Sequence, residues 1–171
     1  MTKRIFLLAL LLGATVATMA QRYVGGDISL LPSYEAKGAE YYDEAGAPIA
    51  SKGMNAMRLR LFVQPAHASA EDKGQGVCQD LDYIVPLAKR VKQAGLRLLL
   101  DFHYSDSWAD PAKQWTPWAW QGLDDETLAD SLAQYTRRVL RRLKAEGATP
   151  DLIQTGNEIS YGMLWGAESE G

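Results

Sequence analysis

The sequence has few of the residues that build metal sites and disulfide bonds. Cys78 is its only cysteine, so neither a disulfide within the chain nor a thiolate metal cluster can form. Its two histidines, His67 and His103, are too few for a zinc site held by histidine side chains. We therefore expect no metal ion and no other cofactor.

No part of the chain has a concentration of basic residues that could bind a polyanion. Lys and Arg number 18 against 21 Asp and Glu, which gives a net charge of −3, and they are scattered along the chain. Binding of nucleic acid requires a stripe or patch of positive charge. We therefore expect no nucleic-acid partner.

No apolar run is long enough to span a membrane, which takes about 20 residues. The run Ile5–Leu12 follows Lys3 and Arg4 and precedes small residues up to Ala20. This pattern is typical of a secretory signal peptide. We predict that residues 1–20 are removed and that the rest is secreted, to the extracellular or periplasmic space, without stable membrane insertion.

Four segments of the chain have the apolar pattern of β-strands. In the second, alternation places Met57, Leu59 and Leu61 on a face covered by helices, with Arg58 and Arg60 on the opposite, inward face. The predicted strands are Tyr23–Ser29, Asn55–Val63, Leu96–His103 and Asp151–Glu158.

Helical spacing of apolar residues predicts helices over Asp80–Ala94 and Asp124–Glu146. Pro86 is tolerated only near a helix start, so we expect the regular part of the first helix to begin at Asp82 or Tyr83. Asp124 or Asp125 should cap the second helix. The stripe of the second helix that is predicted to be buried contains Leu128, Leu132, Tyr135, Val139 and Leu143.

Strands that alternate with helices of this length must pair in parallel. Four parallel strands are compatible with half of a (β/α)₈ barrel or with an open doubly wound sheet. No glycine-rich phosphate loop follows the first strand, and polar residues gather at the strand ends, so the barrel is favoured. A whole barrel takes about 250 residues, so residues 21–171 are predicted to form only about its first four β/α units.

Glu158 is the last residue of the fourth predicted strand, with Asn157 beside it. Enzymes with this barrel place their catalytic residues at the carboxyl ends of strands. His103 and Asp106 lie at or just beyond the end of the third strand. The alternative for Glu158 is a surface or capping carboxylate, and for the inward Arg58 and Arg60 it is a structural ion pair.

Aromatic residues are concentrated after the third strand, where four of the five tryptophans lie between positions 108 and 120. Aromatic faces beside carboxylates suit sugar rings. Trp108 and Trp115 fit sugar contact or simple packing equally well, whereas Trp118 and Trp120 fit packing. Together with Glu158 as general acid, this pattern indicates glycoside hydrolysis, which usually needs a second carboxyl group.

Several segments are distinctive: DISLLPSYEAKG, NAMRLRLFVQP, DLDYIVPLAKRVKQAGLRLLLDFHYSDSWADPAKQ, PWAW and PDLIQTGNEISYGMLW. With these, the chain resembles glycoside hydrolase family 53, the arabinogalactan endo-β-1,4-galactanases. The resemblance implies retaining endo-hydrolysis of β-1,4-galactosidic linkages in (arabino)galactan, with Glu158 as general acid/base. It also implies that Asn157 binds the sugar 2-hydroxyl and that Arg60 and His103 line the reacting subsite. Asp106 and Trp108 complete the expected substrate contacts.

The chain departs from the family in two respects. The family's nucleophile, a Glu on a later strand, has no matching position, and the crossover before the second strand is reduced to PIASK. One alternative is therefore a non-catalytic galactan-binding remnant. Another is a related endo-glycanase of the same clan, such as a mannanase or cellulase. Under each, the partner is a polysaccharide.

Overall fold

The computed structural model describes residues 22–42 and 53–167. The predicted signal peptide and the shortened crossover segment at 48–52 lie outside these residues. Four strands form one parallel sheet: β1 (Gly25–Asp27), β2 (Ala56–Leu61), β3 (Arg97–Phe102) and β4 (Leu152–Thr155). The helices are α1 (Leu31–Glu35), α2 (Ala70–Gly74), α3 (Leu81–Gln93) and α4 (Asp125–Ala145), with 3₁₀ turns at Pro65–His67 and Trp118–Trp120.

The strands are hydrogen-bonded in the order β1-β2-β3-β4. An open doubly wound sheet reverses its strand order at a switch point, whereas a barrel adds each strand beside the previous one. The sequential order therefore excludes a switch point among the four described strands and agrees with the predicted first half of a (β/α)₈ barrel.

The alternation in β2 is confirmed by burial. Met57, Leu59 and Leu61 are buried in the core between the sheet and the helices, while Arg58 and Arg60 remain partly exposed on the other face. In a parallel sheet covered by helices on one side, this pattern leaves the inner face free for polar groups.

Helix α3 lies within the predicted range Asp80–Ala94 and begins at Leu81, one residue before the start at Asp82 or Tyr83 that Pro86 led us to expect. Asp80 caps the helix by accepting a hydrogen bond from the Tyr83 amide at 2.8 Å, and Pro86 lies inside it. Pro86 is exposed, so the carbonyl that loses its intrahelical donor is on the solvent side of the helix.

Helix α4 agrees closely with its prediction. The carboxylate of Asp124 accepts the Thr127 amide at 2.9 Å, which caps the helix. Tyr135, Val139 and Leu143 are buried against the sheet, and the remaining leucines of the stripe are partly buried there.

The first and last strands are shorter than predicted. At Gly25 a side-chain carbon would lie only 1.6 Å from the Ala56 carbonyl oxygen, so the close approach of β1 to β2 requires glycine. Strand β4 pairs only with β3 in the described residues, and Ile153 on it is 45% exposed. Within the ranges 22–42 and 53–167, no helix is both long and apolar enough to cross a membrane.

Candidate active site

The carboxyl ends of all four strands lie at one edge of the sheet, because the strands are parallel. The segments that leave this edge carry the residues expected to act on a substrate: those after β3, including His103 and Asp106, and those after β4, including Asn157 and Glu158. The two arginines of β2 reach the same region from the inner face of the sheet.

Ion pairs fill the inner face below this edge. Arg58 Nη1 donates to Asp27 Oδ2 at 2.8 Å, and Arg58 Nη2 donates to Asp101 Oδ2. Arg60 Nε lies 3.0 Å from the same oxygen of Asp27. Asp101 is fully buried, and a buried carboxylate is stable only when it is paired. This geometry favours the structural ion-pair interpretation that the sequence left open for Arg58.

The pKa of Asp27 reflects the same arrangement. Burial raises it, but the hydrogen bonds that Ser29 donates and the nearby Arg60 guanidinium outweigh burial and hold it below its ordinary value. Asp27 therefore stays ionised and engaged with both arginines. Sequence reasoning did not single out Asp27, which lies at the end of β1.

Asn157 is held by both ends of its side chain. Its Oδ1 accepts hydrogen bonds from Arg58 Nη2 at 2.9 Å and from Gln154 Nε2 at 3.2 Å, and its Nδ2 donates to the Ala109 carbonyl at 2.6 Å. An amide nitrogen carries two hydrogens. The second one has no acceptor among the described residues, so Asn157 can still donate to a sugar hydroxyl.

Gln114 fixes the backbone of the same segment. Its Nε2 donates to the Asn157 carbonyl oxygen at 2.7 Å, and Gln114 itself is buried. The sequence showed Gln114 only as one polar residue of the aromatic loop. In the structure it links that loop to the end of β4.

Glu158 has an uncommon backbone conformation, with φ of 52°. The left-handed region costs a residue with a side chain about 1–2 kcal/mol, and such strain is concentrated at functional sites. Gly156, with φ of 99°, opens the turn, and a side-chain carbon there would lie 2.7 Å from Ile159. Glu158 is exposed, and its carboxylate has no hydrogen-bond partner within the described ranges.

His103 is buried and has a defined tautomer. The Ala109 amide donates to His103 Nδ1 at 3.0 Å, so in the neutral ring the proton is on Nε2. Nε2 lies 3.3 Å from Asp101 Oδ2. The imidazole thus sits beside the ion-pair network rather than in contact with Glu158.

Trp108 packs against Phe62 and Arg60 beside the candidate site. Its ring makes an edge contact with Phe62 at a centroid distance of 5.3 Å, and the Arg60 guanidinium carbon lies 4.6 Å above the ring. A cation over an indole stabilises both groups. Trp108 therefore has a packing role, and Arg60 covers one face of its ring.

Asp106 differs from the other candidate site residues because its carboxylate binds backbone amides of two loops. It is buried, and its two carboxylate oxygens accept the backbone amides of Gln64 and Trp118, each at 2.8 Å. Burial raises its pKa although both hydrogen bonds act in the opposite direction. Asp106 therefore ties the loop after β2 to the loop after β3, and substrate contact by its carboxylate stays a prediction.

The chain is similar to proteins of one family along nearly all of its length. Residues 23–171 match the model of glycosyl hydrolase family 53. The chain belongs to this family. A probable arabinogalactan endo-β-1,4-galactanase A from Aspergillus terreus is 40% identical over 156 residues, which are 88% of this chain and 42% of that protein. An uncharacterised protein encoded in the bgaB 5′ region of Niallia circulans is 45% identical over 148 residues, 83% of this chain and 38% of the relative.

Solved structures of family 53 members share the fold. The structure of a fungal β-1,4-galactanase matches with a TM-score of 0.74 and 36% identity, over 88% of this chain and 45% of that one. The Ignisphaera aggregans catalytic domain of the family matches with a TM-score of 0.73 and 35% identity, over 82% and 41%. The chain thus spans less than half the length of the relatives it matches.

Proposed function

We propose that this chain supplies the acid/base half of a retaining endo-β-1,4-galactanase active site. Glu158 is the general acid/base, protonating the departing glycosidic oxygen and then activating water. Asn157 donates to a hydroxyl of the sugar, and Arg60 and His103 line the subsite where the bond breaks. The nucleophilic Glu comes from sequence outside these residues. The names of the fungal relatives support galactan as the substrate.

The turn Gly156–Asn157–Glu158 carries this proposal. It holds Asn157 against Arg58 at 2.9 Å and places Glu158 in a strained conformation at the carboxyl end of β4. A carboxyl group that is free of partners beside an anchored amide is suited to donate a proton to a ligand when it is protonated and to accept one when it is ionised. The apolar run at Ile5–Leu12 supports export of the protein to where polysaccharide is found.

A second candidate is a galactan-binding module without catalysis. It is favoured by the ion pairing of the other inner-face carboxylates: Asp27 and Asp101 are both engaged by arginine. Neither is free to act as a nucleophile opposite Glu158. Binding would then use the same groove without bond cleavage.

Reducing-sugar release from linear β-1,4-galactan separates these functions when the chain is joined to the second barrel half of the fungal β-1,4-galactanase, which is expected to supply the nucleophilic Glu. Release that falls about 10²–10⁴-fold in Glu158→Gln, the usual range for loss of a general acid, supports the galactanase. Glu126→Gln is the matched control, because Glu126 is an exposed carboxylate on the first turn of α4. Unchanged release in Glu158→Gln would refute the acid/base role.

Other outcomes assign other functions. Binding of galactan without release supports the binding module. Release from β-mannan or carboxymethyl-cellulose but not from galactan would assign the chain to a different endo-glycanase of the clan.

A further inference from the structure

One pair of stacked aromatic rings is separate from the residues that are proposed to line the reacting subsite. The rings of His67 and Trp118 are 4.5 Å apart between centroids and inclined by only 5°. Trp118 is nevertheless 61% exposed. With His67 on one face, so large an exposed fraction requires that the other face of the indole is open to solvent.

The two rings come from different loops, and both loops leave the carboxyl edge of the sheet. His67 ends the 3₁₀ turn after β2, and Trp118 begins the 3₁₀ turn in the long segment after β3. Each turn begins at or next to a buried proline, Pro65 or Pro117. The stacked pair, which we call the aromatic ledge, therefore lies at the same end of the sheet as Glu158.

Asp106 explains why the ledge is held in place. Its carboxylate accepts the amide of Gln64, just before the first turn, and the amide of Trp118 itself. In addition, Lys73 Nζ donates to the Ala66 carbonyl at 2.7 Å within the first turn. These hydrogen bonds fix the backbone of both turns, and the stacking on His67 positions the indole.

The surroundings of the ledge are those of a sugar site rather than of a protein interface. Trp118 is the single exposed large hydrophobic residue in the described loops that follow β2 and β3. A stable protein interface buries a broad surface with several such anchors. One exposed indole face, with the exposed residues Gln64 and Gln121 adjoining the two 3₁₀ turns in sequence, instead suits the apolar face and hydroxyl rim of one hexose.

We propose that the aromatic ledge of His67 and Trp118 is an outer subsite that stacks one hexose of a bound β-1,4-galactan chain, away from the bond that is cleaved. This inference rests on the proposed function for the identity of the sugar. The open face of Trp118 takes the sugar, His67 supports the indole from behind, and Asp106 is a positioning residue. The substrate-contact role predicted for Asp106 is thereby replaced by an indirect one.

The test measures binding of the full 171-residue chain to soluble linear β-1,4-galactan by affinity gel electrophoresis, with tryptophan fluorescence as a second readout. Trp118→Ala should weaken binding about fivefold to tenfold, the usual size of one aromatic stacking contact. Trp118→Phe should restore part of the loss, and His67→Ala should lose less than Trp118→Ala. Tyr23→Ala is the control, because Tyr23 is an aromatic residue of 47% exposure before β1, at the opposite end of the sheet.

Asp106→Asn tests the positioning role. It keeps the shape of the side chain but converts one acceptor oxygen into a donor, so it should weaken galactan binding. The tryptophan emission should also shift to longer wavelength, and the shift should be absent when the same change is made in Trp118→Phe, because the chain has five tryptophans. Asp106→Asn with unchanged binding and unchanged emission would overturn the role of Asp106.

The remaining outcomes separate this inference from the proposed function. Galactan binding that is equal in Trp118→Ala and the parent overturns the subsite and leaves the Glu158 assay untouched. Binding to β-mannan instead of galactan, lost in Trp118→Ala, supports the ledge as a hexose site and overturns the galactanase assignment. Absence of binding to every polysaccharide tested overturns the subsite.

Discussion

Asp151 anchors the start of β4 and provides a sharp test of how charge stabilises this chain. Its carboxylate accepts hydrogen bonds from Lys92 Nζ at 2.6 Å, the Leu98 amide at 2.8 Å and Arg97 Nη1 at 2.9 Å. Burial raises the pKa of Asp151, but these donors outweigh it and lower the pKa from 3.8 to about 2. The strand that precedes Glu158 is therefore attached to β3 partly by this charge.

The size of the Asp151 contribution to stability follows from the linkage between proton binding and folding. A decrease from 3.8 to about 2 corresponds to about 2.4 kcal/mol of folding free energy. Solvent screens pairs of this kind, and Arg97 is 52% exposed, so we expect about 1 kcal/mol in practice. Because the folded pKa lies below the unfolded one, the contribution is complete above about pH 5 and is lost as the pH falls toward 2. About half of it should remain at pH 3.

The assay is urea unfolding of the parent and Asp151→Asn at equal protein concentration, at pH 7 and at pH 3. The variant should be less stable by about 1 kcal/mol at pH 7 and by about half as much at pH 3. Asp130→Asn, on an exposed position of α4, should change neither value. A difference that is the same at both pH values would refute the reasoning, because it would mean that hydrogen-bond shape rather than charge is responsible.

Two further predictions concern the core and the sheet edges. Leu143→Ala should lower the free energy of unfolding by about 2–5 kcal/mol, since Leu143 is fully buried between α4 and the sheet; a loss below about 1 kcal/mol in urea unfolding would contradict this packing. A chain of residues 21–171 should self-associate in sedimentation velocity, because β1 and β4 each pair on one side only in the described sheet and Ile153 and Ile159 are exposed beside β4. A monodisperse monomer would disprove it.

The main strands and helices could be predicted from sequence because they depend on local patterns of apolar residues. Apolar residues alternate around Arg58 in β2 and form a stripe on α4. Each pattern indicates one buried face, and both faces were predicted correctly. The start of α3 was predicted to within one residue although Pro86 lies inside the helix, where its cost depends on whether the carbonyl that it leaves unpaired reaches solvent. The requirement for glycine at position 25 depends on the close approach of the β1 and β2 backbones, which a sequence pattern does not show.

The site was predicted less completely than the fold. Asn157 and Glu158 could be placed at a strand end from sequence, since strand and turn signals are local. The partners of Arg58 could not, because Asp27 and Asp101 lie 31 and 43 positions away and meet it only through strand pairing. Asp106 shows the same limit: its amide partners belong to two loops, which no spacing rule connects.

The succession of strands in space has a consequence for how the molecule is made. Each strand pairs with the one that leaves the ribosome just before it, so the sheet can be extended from one side during synthesis. β4 is the last of the four described strands to be added, and Glu158 follows it. The residue that we propose as the proton donor is therefore added to a sheet that the earlier segments have already assembled.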